Sequence, residues 1–170
     1  MIPTAPRRSS LPWVTIALLL GAGLVLLGAC SGSAPSKPRE FDNDLHEAVE
    51  DGSLREIRKL VELGADVNQR HSDTRETPLG LAIRLGETEA VEELLLRGAN
   101  PNRRSRGSAP IHEAAARGNL EAARLLLDHG ASWDVRDGDS KTPLEVAQAN
   151  NQTRFYFFLE DEIRKRAKVQ

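Results

Sequence analysis

Hydrophobic and polar residues are arranged along this chain in two different ways. From Trp13 to Ala29 no charged residue interrupts a largely apolar run. Beyond Asp42 the apolar positions recur instead at helical spacing: Ile57, Leu60 and Val61 stand at i, i+3, i+4, as do Val91, Leu94, Leu95 and Ala123, Leu126, Leu127. Each triplet predicts a helix with one apolar stripe. Ahead of each lies a shorter block, Leu45-His46-Glu47-Ala48, Leu79-Gly80-Leu81-Ala82 and Ile111-His112-Glu113-Ala114, and a fourth follows at Leu144-Glu145-Val146-Ala147. The blocks begin 34, 32 and 33 residues apart. Seven residues into them stand Gly52, Gly86, Gly118 and Asn151, and nineteen into the first three come Gly64-Ala65, Gly98-Ala99 and Gly130-Ala131. The first set predicts a turn between paired helices, and the second a left-handed cap after the second helix, which glycine adopts without a Cβ clash. In the last unit the second helix is expected to run through Glu160 to about Lys168, with Phe155, Tyr156, Phe158, Leu159 and Ile163 on one broad face and Phe157 turned away.

The openings of the blocks carry helix-start chemistry. Thr77-Pro78-Leu79 and Thr142-Pro143-Leu144 place a capping hydroxyl before a proline that loses no hydrogen bond at the first helical position. Ala109-Pro110-Ile111 keeps the proline, and Asn43-Asp44 offers a different cap. The period and the Thr-Pro-Leu-His-x-Ala signature resemble the ankyrin repeat. That resemblance covers residues 43 to about 160. It implies an all-α solenoid of four helix–turn–helix repeats with loop or hairpin fingers, at roughly 41–75, 76–107, 108–140 and 141–170, the whole domain being 43–170. One helix pair buries too little surface to stand alone, so the units must stack. The last repeat departs from the pattern as a terminal unit should, with a charged end from Glu160 to Arg166.

Residues 1–29 do not belong to this scheme. Arg7 and Arg8 precede the apolar run, no acidic residue occurs, and small residues follow, which is the order of an export signal. Leu27-Gly28-Ala29-Cys30 resembles the lipobox of bacterial lipoprotein precursors. The resemblance implies cleavage after Ala29 and lipid attachment at Cys30, and Ser31 in the following position points to an outer-membrane destination facing the periplasm. An uncleaved anchor is the alternative, although Gly21, Gly23 and Gly28 weaken a spanning helix. Either way the two arginines keep the N-terminus in the cytoplasm and the remainder on the far side. Residues 30–42, rich in serine and proline, read as a tether reaching about 40 Å at most.

Composition narrows the chemistry. A formal charge of -2 and a pI near 6.1 give no basic footprint for nucleic acid. Aromatics at 4% suit helices packed through aliphatic side chains. With Cys30 the single cysteine, no intrachain disulfide or cysteine-based zinc site can form. The resemblance gives His46 and His112 an architectural role, hydrogen bonding between turns. His129 suits a helix C-terminus, and His71 reads as a solvated loop histidine. Glu89, Glu92 and Glu93 read as a solvated helix face. No nucleophile elbow, phosphate loop or zinc-helix pattern is present. No enzyme activity, cofactor or metal is expected.

What remains is recognition. Family usage implies that finger tips and the exposed side of the first helices bind a partner protein. By position these include Glu50, Asp51, Arg84, Leu85, Ala116 and Arg117 on helices, with Arg70, Arg75, Arg103, Arg104, Arg106 and Arg136 on fingers. Arg103, Arg104 and Arg106 form a local positive spot expected to pair with acidic groups. Trp133 either covers a neighbouring repeat or anchors a partner. The expectation is a monomeric, membrane-anchored adaptor or inhibitor of immunity type, or else a scaffold or protective factor for an envelope enzyme. A cell-wall or small-ligand binder ranks below both.

Overall fold

The computed structural model describes residues 43–167. The expected signal peptide, Cys30 and the expected tether lie outside the described residues. Eight helices follow in order: α1 Asp44–Glu50, α2 Leu54–Glu62, α3 Pro78–Leu85, α4 Thr88–Leu96, α5 Pro110–Arg117, α6 Leu120–Asp128, α7 Pro143–Ala149 and α8 Thr153–Ala167. Among the described residues there is no strand, only one isolated bridge between Ser105 and Ser108.

Helix starts follow the chemistry of their first residues. The Thr77 hydroxyl accepts from the Gly80 amide at 3.1 Å, and Thr142 and Glu145 cap each other's backbone reciprocally. Ser53 and Asn119 do the same work for α2 and α6. Asn43 departs from expectation: it holds the cap position but its side chain makes no capping bond, because its backbone is already helical (φ -115°, ψ -16°). At the other ends Gly64, Gly98 and Gly130 have φ of 100°, 88° and 86°, the left-handed geometry that their spacing implied. Asn151 takes φ 58° where the other repeats have glycine.

The odd-numbered helices pack in one row, α1 on α3 on α5 on α7, and α2, α4 and α6 form a second row behind it. The core lies between the rows. Leu45, Val49, Ile57, Leu79, Ile83, Leu94, Ile111 and Leu126 are all fully buried there. Helix α8 closes the stack by burying Phe155 and Leu159, while Phe157 is 62% exposed, as its place on the helix wheel required. Arg124 lies over the Phe158 ring, and Arg166 donates to the Leu127 carbonyl at 3.0 Å, fastening this last helix to α6. Three fingers project between successive pairs, at residues 63–77, 97–109 and 129–142.

Candidate protein-binding surface

Polar residues in this stack divide into those that hold it together and those left on its surface. Three of the four histidines, His46, His71 and His112, belong to the first group, and His129 is exposed at the C-terminal cap of α6. The His46 ring donates through Nε2 to the Glu76 carbonyl at 2.9 Å, and His112 Nε2 reaches the Val135 and Lys141 carbonyls at 3.1 Å each. Each thus ties a first helix to the finger beside it. His71 is not the solvated loop residue expected. Its Nδ1 accepts from the amides of Asp73 and Thr74 at 3.2 and 3.4 Å, and its ring stands edge-on to His46 at 5.3 Å. Its ring thus bonds to the backbone of its own finger.

Glu93 also corrects its sequence reading. It is 8% exposed, not solvated, and its carboxylate accepts from Arg58 at 2.8 Å and Arg97 at 2.9 Å. A helix wheel drawn for α4 alone places it on the polar side. The neighbouring α2 brings Arg58 across and closes it in. These guanidinium groups, Arg58 first and then Arg97, hold the Glu93 carboxyl below the usual carboxylate range. Asp137 is held low as well: burial opposes this, but the Lys141 and Asp139 amides donate to its carboxylate at 2.9 Å each.

The arginines proposed for recognition separate into three sets. Arg70 donates to the Arg104 carbonyl at 2.9 Å, Arg104 to the Arg136 carbonyl at 2.6 Å, and Arg136 to the Ser140 carbonyl at 2.7 Å. Fingers 1 and 2 therefore each reach for the backbone of the next, Arg136 closes finger 3 on itself, and this ladder has an intramolecular task. A parallel ladder runs below it: Asn68 donates to Gly98 and accepts from Asn100, and Asn102 donates to Gly130 and accepts from Ser132. Arg75, Arg103 and Trp133 form the second set, exposed on separate fingers, with Trp133 at 38%.

Arg84, Arg106 and Arg117 form the third set and come together. They line a cleft of about 300 Å³ between α3, α5 and finger 2. Arg84 grips the buried Glu76 with both ends of its fork, Nε at 2.9 Å and an Nη at 3.1 Å. Arg117 pairs with Glu113 at 2.9 Å. Sequence reasoning placed Arg84 and Arg117 on the binding side but missed Glu76, Gly80 and Ser105, which shape the cleft. The signal was present: where two repeats carry histidine, the second carries Gly80. A Cβ there would lie 2.5 Å from Ser105 Oγ, so the serine occupies the vacated space and accepts from the Thr77 amide at 3.2 Å.

Among the described residues no group of three or more His, Cys, Asp or Glu is placed to hold a metal ion, and no helix is long and apolar enough to cross a membrane. The cleft is lined by charged side chains and hydroxyls, which suits binding a polar surface.

Comparison with known proteins agrees with this geometry. A family model described as ankyrin repeats (three copies) matches residues 24–105 and 89–168. The B-cell lymphoma 3 protein homolog of Mus musculus is 34% identical over 128 residues, 74% of this chain and 29% of that protein. Cyclin-dependent kinase 4 inhibitor B of Bos taurus is 33% identical over 109 residues, 63% of this chain and 82% of that protein. SH3 and multiple ankyrin repeat domains protein 1 of Homo sapiens is 37% identical over 100 residues, 58% of this chain but 5% of that protein. The chain thus spans well under two thirds of the mouse and human relatives and most of the bovine one.

Proposed function

This chain belongs to the ankyrin-repeat family, and on that premise we propose that it is a membrane-anchored module outside the cytoplasm that binds and restrains another protein. Ankyrin repeats form protein-interaction modules, generally without catalysis of their own. One observation carries the reading furthest. The side chains of a kind that catalysis uses, His46, His71, His112 and Glu93, are engaged within the stack. Charged cleft and finger residues are left as the surface.

The bovine relative, which this chain spans at 82% of its length, is by name an inhibitor of a kinase. That supports the inhibitor form of the reading over the scaffold form, since a protein little larger than this stack is there named for an inhibitory role. The anchor rests on Leu27-Gly28-Ala29-Cys30 and the tether that follows. Two or more acyl chains at Cys30 give stable membrane attachment, and tethering raises the local concentration of the module toward a partner at the same membrane.

Metabolic labelling of the full chain with an alkyne fatty acid tests the anchor. Label on the wild type and none on Cys30→Ala is the expected result; equal label on both removes the anchor from the account. Crosslinking of the native protein followed by mass spectrometry tests the binding role. A recurrent protein partner joined to fingers or first helices is expected, and a bound sugar or small molecule without one would reject it.

A further inference from the structure

The cleft beneath finger 2 differs from the rest of the stack in ways that suggest what it accepts. Its floor is Gly80, where the first and third repeats have histidine. Its rim is the turn Ser105-Arg106-Gly107-Ser108, closed by paired backbone bonds of 2.8 and 3.0 Å between the two serines. Both central residues have positive φ, 54° at Arg106 and 94° at Gly107. A two-residue hairpin of this kind favours asparagine or glycine at the first central position. An arginine there carries a backbone cost that the turn does not require.

The charges of the cleft are matched except at one point. Both Glu76 oxygens are taken by Arg84, and Glu113 is taken by Arg117. Arg106 lines the same cleft and has no carboxylate partner among the described residues. The result is one uncompensated positive charge over a polar hollow at the lower end of the ~300–1,000 Å³ typical of small-molecule sites. That is room for a side chain from a docked surface.

We propose that this cleft receives the carboxylate of an aspartate or glutamate on the partner protein, with Arg106 as its principal counter-ion. The inference rests on the protein-binding reading and adds the chemistry of one contact. The guanidinium fork presents paired donors that match a carboxylate, and the exposed arginine tip is free to close over it. Arg84 and Arg117, already paired, shape the walls and keep the acidic residues of the cleft from repelling the newcomer.

Peptides selected from a random display library against the full chain supply the probe, each then made with an amidated C-terminus so that only side chains carry acid. The expected outcome is a recurring Asp or Glu whose change to Asn or Gln weakens binding at least tenfold. Arg106→Asn, which suits the turn and removes the charge, should weaken binding similarly without lowering the melting temperature. Selected peptides indifferent both to amide replacement and to Arg106→Asn would overturn the carboxylate assignment while leaving the protein-binding reading in place. A phosphoserine version that outcompetes the aspartate peptide would also overturn it, in favour of phosphate. Failure to enrich any peptide would count against both.

Discussion

At Gly80 a missing side chain decides where finger 2 sits. Ser105 fills the space, so adding even a methyl group drives a Cβ into Ser105 Oγ and Cβ, 2.5 and 2.7 Å away. Gly80→Ala should cost about 1–3 kcal/mol in thermal or denaturant unfolding, the usual price of overpacking. Adding Ser105→Gly should restore part of that loss; no recovery in the double variant would mean that the serine is not what occupies the site. Glu93 is the second decisive residue. Its carboxyl is held low by Arg58 and Arg97, so its stabilisation is complete above the unfolded carboxylate pKa and fades as pH falls through the lower folded value. Glu93→Gln should lower the melting temperature by a few degrees at neutral pH and flatten its decline on acidification. An unchanged acid profile would contradict the role given to this ion cluster.

Among elements, the fingers are the most revealing. Arg70, Arg104 and Arg136 each lie 25 residues after the start of their repeat's first helical block. A residue that returns in the phase of the repeat is architecture, and these three form the ladder. Arg103 and Arg106, next to that phase, face solvent or the cleft. Reversing all three charges of the finger-2 cluster would therefore confuse stability with recognition. Arg104→Ala should speed amide exchange in finger 3, residues 133–141, where its guanidinium meets the Arg136 carbonyl at 2.6 Å. Arg103→Ala should leave that exchange unchanged. Equal exchange in both variants would show that the ladder contributes nothing to finger order.

Across the whole molecule, helix pairing was legible because spacing alone sets it: repeated blocks fixed the paired helices, glycines fixed the turns, and the aromatic face of α8 followed from 100° per residue. What escaped was lateral. Glu93 looked solvated because Arg58 comes from the preceding repeat, and His71 looked idle because its bonds are to its own loop backbone. Gly80 gave no sign of its role, because Ser105 fills its place from 25 residues further on. Contacts between repeats, or within an irregular finger, leave no trace in the periodicity of one helix. The recognition surface is read by subtraction, as what remains once those contacts are assigned.

That subtraction can be tested with a photo-crosslinking amino acid placed singly at two exposed leucines of the full chain in its native cells. Leu85, 43% exposed at the end of α3, stands on the first-helix side, and Leu96, 66% exposed, ends α4 in the second row. The account predicts a discrete protein adduct from Leu85 and none from Leu96. An adduct from Leu96 alone, or identical adducts from both, would place recognition elsewhere and contradict it.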